Sequence, residues 1–159
     1  ASVGPAGRVV ACDARPRRVR LLRSTLERTG LRSVALVQVP ASGTLPFVDA
    51  AFDVVLVDAP CSGLGTLRRD PDIRWTRQPE DLVRFAAQQG RLLHEAARLV
   101  RPGGRLVYAT CSSEPDENER VVAAYLSDHA DFSLAHEHRT LPPDDGLEAF
   151  YGAVIGRNV

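Results

Sequence analysis

The chain has 159 residues, enough for one domain with a core of its own. With 44% hydrophobic and 25% charged residues it reads as globular; no apolar run approaches the roughly 18 residues of a membrane helix, and no charged-then-apolar leader opens it. The formal net charge is +0, which excludes whole-molecule attraction to nucleic acid and leaves that argument to local patches.

Residues 8–12 read as a short strand, followed at once by Asp13. A helix is expected from Pro16, a residue suited to a first turn, to Thr29, with Gly30 as its C-terminal cap. Val19, Leu22 and Leu26 share one of its faces. Residues 34–39 form a second strand, and 40–46, punctuated by Gly and Pro, a loop. Residues 53–58 form a third strand, nearly all apolar, as in a parallel strand buried on both faces. The stretch 59–78 has no clean period and reads as a long loop, of the kind that often carries function. A long helix starts at Pro79, with Glu80 and Asp81 suited to its positive end. Its inward face holds Leu82, Phe85, Ala86, Gln89, Leu92, Leu93, Ala96 and Val100, and Pro102-Gly103-Gly104 ends it. Residues 105–110 form a fourth strand and 117–126 a helix. Residues 132–135 and 150–155 are late strands separated by a polar loop.

The order β-α-β-β-α-β-α-β-β implies an α/β protein with a mostly parallel, Rossmann-like sheet. In such a unit an acid placed like Asp13 usually follows the second strand and holds ribose hydroxyls. No Gly-rich nucleotide-binding turn precedes the first strand here. Residues 1–159 therefore read as part of a catalytic domain, truncated before its first strand. That strand is normally central, and its loss would leave a gap and exposed strand edges. The absence of Met and the opening Ala1 fit a fragment.

All 20 basic residues are arginine. GC-rich coding accounts for the bias, yet guanidinium still favours bidentate phosphate contacts and stacking on bases. Cys12, Cys61 and Cys111 are odd in number and lack paired spacing, which points to a reducing compartment. Cys12 reads as core. His94, His129, His136 and His138 show no catalytic spacing, and no structural zinc site is expected.

Two cysteine segments stand apart: Asp58-Ala59-Pro60-Cys61-Ser62-Gly63 and Ala109-Thr110-Cys111-Ser112-Ser113. Each follows an apolar strand, and catalytic groups of α/β sheets gather at the carboxyl ends of strands. Taken singly, each cysteine is as well explained as a small buried hydrophobe. Two in corresponding positions point to nucleophilic chemistry. Arg68-Arg69-Asp70-Pro71-Asp72-Ile73-Arg74-Trp75 joins three guanidiniums to the one Trp of the chain, suited to phosphate contact and base stacking. A solvated loop with internal Arg–Asp pairs is the competing explanation. Glu114, Asp116, Glu117 and Glu119 read as acids favoured at a helix start rather than as metal ligands.

These segments, together with Glu117-Asn118, resemble the Sun (Fmu) family of S-adenosylmethionine-dependent RNA methyltransferases that form 5-methylcytosine. Pro102-Gly103-Gly104, and Asp145-Gly146 followed by Phe150-Tyr151, are similar to that family too, so the resemblance covers residues 8–155. It implies a class I methyltransferase sheet, S-adenosyl-L-methionine as cofactor and an RNA substrate, ribosomal rather than transfer RNA. It also implies a cytoplasmic setting with neither membrane nor metal. Cys111 would be the nucleophile that adds to carbon 6 of cytosine, and Cys61 would assist breakdown of the adduct. DNA cytosine methyltransferases use a Pro-Cys nucleophile instead, so on chemistry alone the two roles stay exchangeable. Asp13 would hold the cofactor ribose, and Asp58 would lie where its methionine end meets the target base. Pro60, Arg68, Arg69, Arg74 and Trp75 would contact RNA, whose target base must be splayed out of its stack. Two family features have no counterpart in residues 1–159: the Gly-rich cofactor loop, and the adenine-contacting acid after the second visible strand, where Val39-Pro40 stands. The rival from another class is a non-catalytic RNA-binding remnant that keeps the Arg-Trp loop but not cofactor binding.

Overall fold

The computed structural model describes residues 3–4, 6–41, 44–142 and 146–159. Asp145 of the Asp145-Gly146 pair lies outside the described residues. In chain order the elements are β1 (Val9–Asp13), α1 (Pro16–Thr29), β2 (Val34–Gln38), β3 (Phe52–Asp58), α2 (Ile73–Thr76), α3 (Pro79–Ala97), β4 (Val100–Thr110), α4 (Glu119–Asp128), β5 (Phe132–Thr140) and β6 (Phe150–Arg157). Single 3₁₀ turns occupy Leu64–Thr66 and Pro115–Glu117. The chain divides into two compact units, one up to Pro46 and one from Phe47 onward.

In the first unit β1 and β2 pair in parallel, from Val9 opposite Val34 to Asp13 opposite Gln38. Parallel neighbours need a crossover, and α1 supplies it. Pro16 starts α1 without losing a helical hydrogen bond. Gly30 ends it in the left-handed region, at φ 68°. Val19 is buried, whereas Leu22 is 36% exposed, so the apolar face is only partly covered within the described chain. Cys12 is exposed rather than core.

The second unit is a four-stranded sheet in the order β3-β4-β6-β5. β3 and β4 run parallel with α3 as crossover, while β6 is antiparallel to both β4 and β5. Alternate residues of β4 and β6, namely Leu106, Tyr108, Tyr151, Ala153 and Ile155, point to one side and are buried. Leu93, Ala96 and Ala97 of α3 join the same core, with Val121, Val122 and Tyr125 of α4. The α/β, Rossmann-like class expected from the sequence is the one observed, with parallel and antiparallel pairings both present.

Several boundaries differ from the sequence-based expectation. α3 stops at Ala97, and β4 begins at Val100, ahead of the Pro-Gly-Gly segment. Residues 102–104 form a bulge within β4, because Phe52 faces Val100 but Val54 already faces Arg105. A Cβ on Gly104 would lie 2.8 Å from the carbonyl oxygens of Arg101 and Asp53, which explains the glycine there. β3 is not buried on both faces: Val54 and Leu56 are 54% and 66% exposed. Among the described residues β3 is the outer strand of this sheet and pairs with β4 alone. β5 extends to Thr140, its polar His136–Arg139 segment fitting an edge strand. The long loop of residues 59–78 contains a 3₁₀ turn and the short α2.

Candidate active site

β3 and β4 end side by side. Asp58 faces Ala109, and the Ala59 N–H donates to the Ala109 carbonyl at 2.9 Å. Two short turns then leave the same edge of the sheet, and each carries a cysteine. The two sulphurs, Cys61 Sγ and Cys111 Sγ, lie 3.2 Å apart as free, half-buried thiols. At that separation one thiol donates to the other. The arrangement is asymmetric. The contact with Cys111, reinforced by burial, holds the Cys61 thiol far above its ordinary range. The contact with Cys61 pulls Cys111 down to about 7, against the opposing effects of burial and of the negative charges of Asp58 and Glu117. The contact thus favours one shared proton on Cys61 and thiolate character, the reactive form of a cysteine, on Cys111.

A buried carboxylate frames both turns. Glu117 is fully buried, and its oxygens accept from the residue that follows each cysteine. Glu117 Oε1 takes the Ser62 N–H at 2.8 Å and Gln89 Nε2 at 3.1 Å. Glu117 Oε2 takes the Ser112 hydroxyl at 2.5 Å and the Ser62 hydroxyl as well. Four donors on one anion are the satisfaction a buried charge needs. Gln89 Nε2 also donates to the Pro60 carbonyl at 2.9 Å, and Arg77 Nε to the Ser62 carbonyl at 2.8 Å. Asn118 closes the other side. It accepts from the Thr110 hydroxyl at 2.5 Å and donates to the Ser112 carbonyl at 3.0 Å. Glu117 ends the 3₁₀ turn that leads into α4, as a helix-start acid would, but it is fully buried.

The turn at Leu64–Thr66 lies directly on the Cys111 turn. The Gly65 N–H donates to the Cys111 carbonyl at 3.1 Å, and the Gly65 carbonyl accepts the Ala149 N–H at 3.0 Å. A Cβ on Gly65 would sit 2.1 Å from the Ala149 oxygen, so only glycine permits this approach. Gly63, just after the cysteine turn, has φ 78°, which also favours glycine.

Beyond this turn runs the basic segment. Arg69 pairs with Glu148 at 3.3 Å, and Arg68 donates to the Gly146 carbonyl at 3.4 Å. The ion pair formed by this segment thus reaches the 146–148 stretch rather than Asp70 or Asp72. Ile73 is buried and anchors α2, while Arg74 is exposed and Trp75 is 78% exposed.

Of the residues singled out in the sequence, Cys61, Cys111, Asp58 and Pro60 come together at one edge, with Arg68, Arg69, Arg74 and Trp75 on the segment that follows. Asp13 ends β1 in the first unit. Its carboxylate accepts the Arg15 N–H at 2.7 Å and lies 3.8 Å from Arg18. With 19% of its side chain exposed, it is an acceptor still reachable by hydroxyl donors, which fits a ribose. Glu117, Gln89, Ser62, Ser112 and Arg77 were not singled out as site residues. A signal existed for the serines, since each follows its cysteine directly. Among the described residues no cluster of three or more His, Cys, Asp or Glu is placed to hold a metal, and no helix is long and apolar enough to cross a membrane.

The family model described as 16S rRNA methyltransferase RsmB/F matches residues 1–153. The chain is 35% identical over 158 residues to ribosomal RNA small subunit methyltransferase B of Proteus mirabilis, covering 98% of this chain and 37% of that protein. It is 39% identical over 127 residues to the probable ribosomal RNA small subunit methyltransferase B of Bacillus subtilis, covering 79% of this chain and 28% of that one. The chain thus spans about a third of the length of these curated relatives. Among solved structures it superposes on PH0851 with a TM-score of 0.89 and 30% identity, over 94% of this chain and 37% of the other.

Proposed function

Because this chain belongs to the RsmB/F family of 16S rRNA methyltransferases, we propose that it carries the reactive edge of an enzyme that methylates carbon 5 of cytosine in RNA through a covalent cysteine adduct. The observation behind this reading is the pair of free thiols, 3.2 Å apart at adjacent strand ends. Carbon 5 of cytosine is a poor nucleophile. Addition of the Cys111 thiolate forms an S–C6 bond and moves the C5–C6 electron pair toward carbon 5, which then accepts a methyl group. Release requires loss of the proton on carbon 5 and expulsion of Cys111 as the double bond re-forms. Cys61, 3.2 Å from Cys111, would be the group nearest that proton. Its raised pKa at rest comes first from the contact with Cys111. Once Cys111 is a thioether that contact is gone, and Cys61 becomes able to ionise and act as base.

S-adenosylmethionine, when bound, supplies an electrophilic methyl group. Asp13 would hold its ribose hydroxyls, and Asp58 would face its methionine end. Residues 1–159 would be part of a catalytic domain in a longer protein that provides the Gly-rich cofactor turn. Pro60 would line the site of the splayed-out base, Trp75 would stack on a neighbouring base, and Arg68, Arg69 and Arg74 would meet phosphates. The substrate proposed is ribosomal rather than transfer RNA, and the setting cytoplasmic.

The test is adduct trapping on RNA containing 5-azacytidine, with the full-length protein. Adduct should form with the parent and with Cys61→Ser, and be lost in Cys111→Ser. If Cys111→Ser forms it and Cys61→Ser does not, the roles are reversed. If the full-length protein fails to bind S-adenosylmethionine in calorimetry, the enzyme reading falls and a non-catalytic RNA-binding remnant replaces it.

A further inference from the structure

We propose that Cys61 and Cys111 also form an oxidation site, at which a hydroperoxide converts the facing thiols into a reversible disulfide. The sulphurs stand 3.2 Å apart, so a bond of about 2.05 Å requires closure of little more than 1 Å. Both sit in turns rather than in regular strand, and Gly63 beside Cys61 is already in the left-handed region. The frame behind them holds the thiols face to face: Ser62 and Ser112 are tied to one Glu117 carboxylate and lie 3.3 Å from each other. Both cysteines are half-buried, so a small peroxide reaches them while a bulky disulfide is hindered.

The reaction balances with the hydroperoxide as sole oxidant. The Cys111 thiolate attacks the peroxide, an S–O bond forms, the O–O bond breaks, and the departing alkoxide takes a proton to leave as an alcohol or, from hydrogen peroxide, as water. Cys111 is now a sulfenic acid. Cys61 Sγ attacks Cys111 Sγ, the S–S bond forms, the S–O bond breaks, and hydroxide leaves with the Cys61 proton as water. Two thiols have lost two electrons and the peroxide has gained them. The depressed pKa of Cys111 supports the first step, and the neighbouring Cys61 makes the second faster than further oxidation. Only the consequence, a nucleophile withdrawn from methyl transfer, rests on the function proposed above.

The experiment treats the full chain with hydrogen peroxide, blocks remaining thiols, and maps peptides by mass without reduction. The expected product is one linked Cys61–Cys111 peptide that has lost two hydrogen atoms, with complete loss of alkylation at both positions and full recovery after dithiothreitol. Cys12, exposed on β1, is the internal control and should remain alkylatable when the pair is already linked. In Cys61→Ala, Cys111 should react more slowly with peroxide and, once oxidised, advance to sulfinic acid that dithiothreitol does not reverse. Sulfinic acid at Cys111 in the parent with Cys61 untouched, or Cys12 consumed ahead of the pair, overturns the proposal. The readout needs neither RNA nor cofactor. A chain that forms the disulfide but never an adduct on RNA therefore refutes the methyltransferase reading alone, and the converse result refutes the oxidation site alone.

Discussion

Glu117 holds Ser62 twice, through the backbone N–H at 2.8 Å and through the hydroxyl. The grip fixes the residue after Cys61, and the same carboxylate grips the residue after Cys111. Replacing Glu117 by Gln keeps the volume but removes the anion that four donors share. Loss of charge-assisted hydrogen bonds in a buried site costs about 1–3 kcal/mol. We expect a lowered denaturation midpoint for Glu117→Gln, measurable on the purified chain, and faster alkylation of Cys111, because the negative charge that opposes its thiolate is gone. Slower alkylation would mean that the hold of the carboxylate on the thiol geometry outweighs its charge.

Two glycines make opposite predictions. At Gly65 a methyl group would collide with backbone oxygens of Ala149 and Cys111. Gly65→Ala should therefore destabilise by about 1–3 kcal/mol, as overpacking does. Gly90 lies inside α3, and a Cβ there meets nothing within 4 Å. Gly90→Ala should stabilise by about 0.5–1 kcal/mol through lower helix entropy cost. Urea denaturation of the two variants compares them directly.

The reactivity of Cys111 should follow pH with a midpoint near its depressed value, about 7. Below that pH the thiol is protonated and alkylation by iodoacetamide is slow; above it the thiolate dominates. In Cys61→Ala the donor that lowers the value is absent, so the midpoint must rise toward that of an ordinary thiol. A midpoint that stays in place would show that another group stabilises the thiolate.

Trp75 and Arg74 are exposed, so their loss should leave the thermal midpoint of the chain unchanged. In the full-length protein Trp75→Ala should weaken RNA binding by about 1–3 kcal/mol, the worth of one stacked base. Arg74→Ala should lower the slope of log affinity against log salt by about one phosphate contact. Arg69→Ala differs, because it also frees Glu148 from its ion pair. Titrations at several salt concentrations separate the three.

The cysteine turns were legible in the sequence because each follows a short apolar strand and both carry turn-forming residues. The end of α3 was not. Leu99 and Val100 are buried, apolar and in helical phase with Leu92 and Ala96, yet they fit a strand equally well. Pairing of Val100 with Phe52 decides the matter, and that contact spans 48 residues of chain. The second role of Glu117 is hidden from the sequence for a related reason. An acid near a helix start is ordinarily explained by the helix dipole, and nothing local reveals that Ser62, 55 residues earlier, will supply donors to it. The exposed faces of Val54 and Leu56 run against the buried-strand pattern, since composition reports how apolar a strand is but not how many neighbours it has.

The bulge at residues 102–104 has a consequence at the opposite end of β4. A step of two along β3, from Phe52 to Val54, is matched by a step of five along β4, from Val100 to Arg105. Everything beyond inherits that offset, down to Asp58 beside Ala109, and so the height at which Cys111 emerges opposite Cys61 is set there. The Pro-Gly-Gly segment acts as a spacer. Shortening it by one residue with a bulge of the same size retained would shift the pairing beyond it and turn Leu106, Tyr108 and Thr110 to the other side of the sheet. Shortening it by two would preserve the sides but carry Cys111 about 7 Å along the strand direction, out of reach of its partner.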